Sequence, residues 1–464
     1  MEKQQAKQRP IFYDPTHRRL FILTALVLSL FLIWLYLKLF DPMALFKFRA
    51  YTVRPVRIRF VRIMNRVMLV LLGLHYLKLL LYLLFARGPR QPRGDPPRMK
   101  VCAVVPTYNE ERVIVKTIQS ILASDYGPID VYVVDDGSTD RTAELVESTF
   151  RKNKRVHLLR QPNGGKASAL NRGIAAAQCD LLLLLDADTL VAPDAVRLMT
   201  YHFADPRVAA VSGNTKVGNV TNLITRCQRV EYIRDFNLIK NGMSHLRCMA
   251  VVPGALGLWR RAAVLEAGGF STQTLGEDRD LTMALLSADK RVRFEPLACS
   301  RTEAPATLRA FFRQRSRWIY GTLQCMVKYL RCLFNPRTPG LGFLLLPDLL
   351  FFQTLVPCVS TFGLLTNLLD PQPFELFLLG LSFCLAIILE LALYLISLIL
   401  ARERVSPLDL LVIIPQRIIY GFVCVYLTYR ALVIAFLGVR VGWNKLDRVG
   451  NVEDIVYKEQ EEAL

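Results

Sequence analysis

The 464 residues contain no Cys-x-x-Cys pair and only five histidines. Those gaps exclude zinc ribbons, zinc fingers and dithiol redox motifs. The ten cysteines, from Cys102 to Cys424, are scattered and read as free thiols. His157, His202 and His245 are isolated, so structural or exposed roles are expected. Acidic side chains are scarce, 39 against 59 basic ones, a net charge of +20. No nucleic-acid-binding motif accompanies that charge, and no internal repeat or low-complexity tract is present. Gly165-Lys166 lacks the upstream glycine spacing of a Walker A loop. No small-residue cleavage site follows the first apolar run, so a signal peptide is not expected.

What is abundant is apolar surface: 52% of residues are hydrophobic and the mean hydropathy is +0.29. Residues 20–40 and 67–85 form a candidate transmembrane hairpin (20–86), the second run weakened by His75 and Lys78. The basic tail 1–19 and the linker 87–100 flank it, placing both ends on the cytosolic side and the lipid bilayer as a partner. Three further runs, 343–369, 374–400 and 408–438, make up a C-terminal membrane region (341–438) ahead of a polar tail (439–464). The acidic turn at Asp370 favours the outside and Arg402-Glu403-Arg404 the inside. Strict alternation then puts the C-terminus outside, while Arg440, Lys445 and Arg448 favour the inside. Pro415 is read as interrupting the last run. Asp348 and Glu390, inside apolar runs, are costly there and draw functional suspicion; for Glu390 a translocation path or an inter-helix contact is expected.

Residues 101–305 differ in character. Short β-rich runs (Val101–Val105, Val131–Val134, Val156–Leu159, Leu181–Leu185) alternate with helical stretches (Val113–Ala123, Thr142–Phe150), which predicts a parallel α/β sheet. In such sheets ligands bind at the carboxyl ends of strands. Pro106-Thr107-Tyr108-Asn109-Glu110, Asp135-Asp136 and Asp186-Ala187-Asp188 each stand at such an end and can converge on one crevice. Asp135 and Asp136 can accept hydrogen bonds from a base or ribose, or form an Asx turn. Strand alternation would point Asp186 and Asp188 to opposite sides, one toward nucleotide and one toward Mg²⁺ or Mn²⁺. Lys166 after two glycines suits a diphosphate, though taken alone the pattern fits an ordinary turn with an exposed lysine better. Asp278 can act as a general base or cap a helix. Residues 306–340 read as amphipathic interface helices. There Gln314 and Arg317 can bind phosphate oxygens and Trp318 can stack on a sugar, while Arg309, Arg313 and Arg315 read as resting on lipid.

Taken together, Pro106–Glu110, Asp135-Asp136-Gly137-Ser138, Gly165-Lys166, Asp186-x-Asp188, Gly276-Glu277-Asp278 and Gln314-x-x-Arg317-Trp318 resemble the motifs of the processive family 2 glycosyltransferases. That family includes the cellulose, chitin, hyaluronan and poly-β-1,6-N-acetylglucosamine synthases. The layout of spans and the ending Gly442–Gly450 look most like the last of these. The family's Thr-Glu-Asp stands here as Gly-Glu-Asp, and no cyclic-di-GMP-binding domain is present. The resemblance implies a Rossmann-like GT-A domain between transmembrane helices, at the inner (plasma) membrane with the catalytic part cytosolic. It implies a UDP-sugar donor, with UDP-N-acetylglucosamine expected, a growing polysaccharide as acceptor and an inverting, processive reaction; a small membrane partner subunit is compatible. It implies Asp278 as base, Asp188 as metal ligand, and Thr107, Tyr108, Glu110, Asp135, Asp136, Lys166, Asp186 and Arg317 around the nucleotide sugar. Gln314, Trp318, Pro253 and Gly254 would then line the acceptor site. A non-processive transferase with a lipid acceptor, and a transporter or scaffold with a degenerate nucleotide domain, are the alternatives.

Overall fold

The computed structural model describes residues 50–92, 94–369, 373–437, 450 and 452. The tail 1–19, the expected span 20–40, the acidic turn 370–372 and the C-terminal tail other than 450 and 452 lie outside the described residues.

A long helix, α1 (Ala50–Phe85), precedes a regular alternation: β1 (Val101–Thr107), α2 (Ile114–Leu122), β2 (Asp130–Asp135), α3 (Thr142–Phe150), β3 (Val156–Arg160), α4 (Lys166–Ala176) and β4 (Leu181–Leu184). The alternation then loosens into β5 (Thr189–Val191), α5 (Ala195–Thr200), β6 (Val208–Val217), α6 (Leu223–Arg234), a π-helical turn Asp235–Lys240 and α7 (Asn241–His245). Next come β7 (Gly257–Arg260), α8 (Arg261–Glu266), α9 (Glu277–Ser287), β8 (Arg291–Thr302) and α10 (Leu308–Lys328). The described chain ends in π-helical segments Gly340–Leu345 and Asp348–Leu355, then α11 (Val356–Leu369), α12 (Pro373–Ala401) and α13 (Pro407–Leu437).

Eight strands form one sheet in the order β3-β2-β1-β4-β7-β6-β8-β5. The expected parallel pairing holds for β3, β2, β1 and β4. The other half is mixed, because β7 runs antiparallel to both β4 and β6, and β5 antiparallel to β8. β4 is four leucines buried on both faces, as a strand covered by helices on each side requires. Ile114, Ile118 and Ile121 recur at helical spacing and bury α2 against one face, with Val131, Val133, Leu181 and Leu183. On the other face Leu170 and Ile174 of α4 pack with Val104, Leu182 and Leu184. Gly173 permits that close approach, since a Cβ there would stand 2.3 Å from a Val104 methyl.

Four described helices are long and apolar enough to cross a membrane: Val61–Phe85, Gly340–Thr361, Pro373–Ala401 and Pro407–Ala435. Several of their charged residues are paired with other helices. Lys78 meets Asp348 at 2.6 Å and lies over the Phe352 ring, which resolves the charges of both segments at once. Glu390 sits between Arg234 of α6 and Arg417 of α13, an inter-helix contact. The last helix is not interrupted at Pro415; α13 continues through it. A proline inside a helix removes one backbone hydrogen bond without necessarily ending the helix, because neighbouring packing can hold the rest.

α6 joins the sheet to these helices. Asn222 caps it, its side chain accepting from the Thr225 amide in a reciprocal box. Arg226 and Arg229 then reach Asp409 of α13 at 2.9 and 3.1 Å, and Glu231 reaches α10.

Candidate active site

Parallel register sets the first part of the site. Thr107 and Asp135 are direct partners at the carboxyl ends of β1 and β2. Both are buried, and the Thr107 hydroxyl has no hydrogen-bond partner among the described residues. Asp135 accepts from the Ser138 amide at 3.2 Å. Asp136 is engaged by three donors: the Gln161 side chain (2.7 Å) and the Gly164 and Gly165 amides (2.8 Å each). Its carboxylate therefore organises the turn that starts α4. Gly137, at φ +77, lets that turn close, since a Cβ there would stand 2.9 Å from the Asn163 nitrogen. Tyr108 and Glu110 are half-buried beside this end, and the Glu110 amide donates to the Thr142 hydroxyl at 2.7 Å.

The second part is a small cleft whose lining includes Pro106, Lys166, Asp186, Gly254, Glu277 and Asp278. Its walls are otherwise mostly apolar, with Leu170, Leu184, Val252, Trp259 and Phe270 among them. Lys166 is the first residue of α4 and Glu277 the first of α9. Lys166 Nζ lies 2.6 Å from Asp186 and 3.1 Å from Glu277. Pro253 and Gly254 close the cavity from the loop before β7, and the Asp186 amide donates to the Gly254 carbonyl at 2.8 Å. The alternation argument for Asp186 and Asp188 fails twice: residues two apart on a strand share a face, and β4 ends at Leu184, so both aspartates lie in the turn before β5. Their carboxylates still diverge: Asp186 faces Lys166, and Asp188 is buried beside the Thr302 and Thr189 hydroxyls at 3.4 and 3.3 Å.

Asp278 does not cap its helix. Gly276 holds the N-cap position, and Asp278, second in α9, accepts from the Arg279 amide at 2.7 Å. Burial raises its pKa above the ordinary aspartate value; the neighbouring Glu277 charge raises it further, and Lys166 and Arg279 pull it down. Nearby, Lys240 is a buried amine pushed down to about 8 by burial, with Asp235 opposing the shift at 3.8 Å.

The third part is α10, started by Thr307, whose hydroxyl accepts from the Ala310 amide. Gln314 is buried and its Oε1 has no hydrogen-bond partner among the described residues. Arg317 is half-buried and Trp318 is exposed at 37%. None of the three lines the cavity of Asp278. The helices that carry them meet, however, at Gly276 and Gly321. Arg315 overturns its lipid-facing reading. It is buried, pairs with Glu231 through two bonds of 2.6 and 2.5 Å, and lies over the Phe311, Trp318 and Tyr420 rings. Arg315 lies on the face of α10 that meets α6 and α13, whereas Arg309 and Arg313 are exposed on another face. Glu277 was also missed as an individual residue: its motif was visible, its contact with Lys166 was not. The isolated histidines are structural, with His202 against Glu295 (2.8 Å), His245 on the Asn241 carbonyl (3.0 Å) and His157 stacked on Tyr132.

A divalent cation can be tested against the donor set. No group of three or more His, Cys, Asp or Glu side chains among the described residues is arranged to hold one. One buried carboxylate at a strand end, Asp188, fits a hard cation that completes its shell with phosphate oxygens and water, and does not fit an all-protein cage.

A mixed sheet of this order, with nucleotide-type strand ends on its parallel half and carboxylates at the switch to its antiparallel half, defines a GT-A, Rossmann-like domain. The chain is similar in fold to a mannosyltransferase from Pyrobaculum calidifontis solved with GDP-mannose and Mn²⁺, with a TM-score of 0.60 and 22% identity over 81% of this chain and 100% of that one. Residues 102–263 match the model described as glycosyl transferase family 2, and the chain carries a glycosyltransferase domain of that family. The poly-β-1,6-N-acetyl-D-glucosamine synthase of Staphylococcus aureus (strain COL) is 31% identical over 255 residues, 53% of this chain and 62% of that protein. The synthase of Staphylococcus epidermidis is 29% identical over 270 residues, 57% of this chain and 65% of that protein. The match thus spans less than two thirds of either relative.

Proposed function

We propose that the protein is a membrane-embedded, inverting and processive glycosyltransferase that lengthens a β-linked polysaccharide from a UDP-sugar, with UDP-N-acetylglucosamine as donor. The observation that carries this reading is Asp278, a carboxylate of raised pKa at the start of α9, facing the cavity at the sheet's carboxyl end. The synthase relatives named above supply the donor sugar and the polymer.

In this reading Asp278 takes the proton of an acceptor hydroxyl. That oxygen attacks the anomeric carbon opposite the diphosphate, the bond to UDP breaks, and the configuration inverts. Thr107 and Asp135 hold the nucleoside, while the amino end of α4 and Arg317 face the diphosphate, where helix dipole and guanidinium favour negative charge. Gln314 and Trp318 hold the acceptor sugar. Asp188 would hold Mg²⁺ or Mn²⁺, which when bound neutralises charge on the departing diphosphate; the archaeal mannosyltransferase carries Mn²⁺ with its nucleotide sugar. The four apolar helices would anchor the domain at the cytosolic face of the plasma membrane and pass the product across.

The test is UDP release and product length with purified enzyme in lipid, using a panel of UDP-sugars. Preference for UDP-N-acetylglucosamine with long chains supports the reading. A product one or two sugars long on a lipid overturns processivity, and no UDP release with any donor overturns the activity.

A further inference from the structure

We propose that Glu277 is a positioning residue: with Asp186 it fixes Lys166 in an ionic bridge that seats the start of α9, and hence Asp278, against the end of the sheet. The inference rests on the reading of Asp278 as the base.

The bridge joins three parts of the chain that are remote in sequence. Asp186 comes from the turn after β4, Lys166 from the first turn of α4, and Glu277 from the first turn of α9. One ammonium joins all three, at 2.6 Å to Asp186 and 3.1 Å to Glu277. Lys166 at 16% exposure and Glu277 at 10% are largely withdrawn from water, while Asp186 keeps 34%. The Lys166–Glu277 pair is therefore weakly screened, and removing Glu277 leaves the ammonium with the more exposed Asp186 alone.

A fourth element closes on the bridge. A side chain at Gly254 would have to displace the ion pair, because an added Cβ would stand 2.7 Å from Lys166 Nζ and 2.8 and 2.9 Å from the two Asp186 carboxylate oxygens. The Gly254 carbonyl also accepts from the Asp186 amide. The loop is therefore moulded on the ion pair. Glu277 immediately precedes Asp278 in the rigid first turn of α9, so displacing one displaces the other. Its charge also counters the pull of Lys166 on the Asp278 carboxyl. Glu277 thus acts through Lys166 and through the backbone of its neighbour, without touching donor or acceptor.

The experiment is a double-mutant cycle of Glu277→Gln and Lys166→Met in the full-length enzyme, read in three ways. The first is kcat and KM for UDP-N-acetylglucosamine. Glu277→Gln should lower kcat ~10- to 100-fold, the scale of an ångström's misplacement at a reacting centre. The second is calorimetric affinity for UDP alone, which Glu277→Gln should leave within about twofold if it touches no ligand. The third is the thermal midpoint, which needs no turnover. Each single change should lower it, and the double variant should fall no further than the worse single one. Parental kcat in Glu277→Gln, UDP affinity lost in proportion to kcat, or strictly additive midpoints would each overturn the bridge. If Glu277→Gln does not fold, Glu277→Asp carries the same test, with a smaller loss of kcat and unchanged UDP affinity. A parent enzyme that releases no UDP overturns the activity instead, and the midpoint cycle still decides the bridge.

Discussion

Gly321 of α10 lies directly against Gly276 at the start of α9: a Cβ on Gly321 would stand 2.7 Å from the Gly276 nitrogen and 3.0 Å from the Leu275 carbonyl carbon. The contact joins the helix of Asp278 to the helix of Gln314, Arg317 and Trp318. Around it the Leu275 amide donates to Gln324 at 2.8 Å, and Lys328 and Tyr329 hold Asp280 at 2.8 Å. The geometry at the other glycine is looser. A Cβ on Gly276 meets nothing nearer than 3.6 Å, so the threonine usual in the resembling family has space here.

These clearances give opposite expectations for the two positions. Gly321→Ala forces backbone apart and should cost ~1–3 kcal/mol, with a fall in turnover. Gly276→Thr should leave stability and turnover near the parent. Thermal midpoints and UDP release decide the matter; the reverse order would mean the two helices are not seated on each other in the working enzyme.

Asp278→Asn should lower transfer by ~10²–10⁴-fold while UDP still binds. The base works deprotonated, so kcat/KM should fall as pH drops through its pKa. Burial and the Glu277 charge raise that pKa, so the acid limb should lie above the ordinary aspartate range. A limb at or below that range, or parental activity in the asparagine variant, removes Asp278 from the role.

Asp188→Ala should weaken UDP binding in the presence of Mn²⁺ and leave metal-free UDP binding little changed. Calorimetry with and without Mn²⁺ separates the two, and chelation should inhibit the parent enzyme. Full turnover in excess chelator would discard the metal role of Asp188.

The strand-end positions of Asp135 and Asp136 were legible because each apolar run was short and stopped at a polar residue. The run Leu181–Leu185 was equally plain, but the strand stops at Leu184, with one residue between it and Asp186, and alternation could not have separated Asp186 from Asp188, since residues two apart on a strand share a face. The mixed half of the sheet was hidden, since β6, β7 and β8 carry no spacing that reveals direction. Glu277 and Lys166 are remote in sequence, so only the fold could bring them together. Arg315 was misjudged for a different reason: it was grouped with Arg309 and Arg313, although a step of two residues along a helix turns it to another face, and its partner Glu231 is remote in sequence. Pro415 was overweighted, because a local rule cannot anticipate the neighbours that keep α13 continuous.

Lys240 gives a prediction on stability with a definite sign. Its pKa is about 8 in the folded protein, lowered by burial, against 10.5 for the free side chain. The unfolded chain therefore binds more protons between those values, and the folded state gains stability as pH rises across that window. The penalty is fully present below pH 8. Lys240→Met should raise the thermal midpoint of the solubilised protein at pH 7, and the gain over the parent should shrink toward pH 10.5. A midpoint difference that does not change with pH would mean the amine is not the cause.

Trp318→Ala should harm polymer formation more than hydrolysis of the donor. The Arg315 guanidinium covers one face of the indole at 4.6 Å, and Glu231 holds that guanidinium through both carboxylate oxygens. The ring is thereby fixed while 37% of the residue stays open. A rigid, half-open aromatic face suits a sugar ring, which stacks at little entropic cost. Losing such a contact should weaken acceptor capture ~2- to 10-fold. The donor side, built on Thr107, Asp135 and the start of α4, belongs to the sheet and should survive. The measurement is a ratio, UDP released to water against sugar incorporated, taken in the same preparation. Arg315→Lys serves as the companion variant: it keeps the charge but loses the two-pronged bond to Glu231, so it should shift the ratio in the same direction through a looser indole. If Trp318→Ala lowers both quantities equally, the indole serves the packing of α10 and not the acceptor.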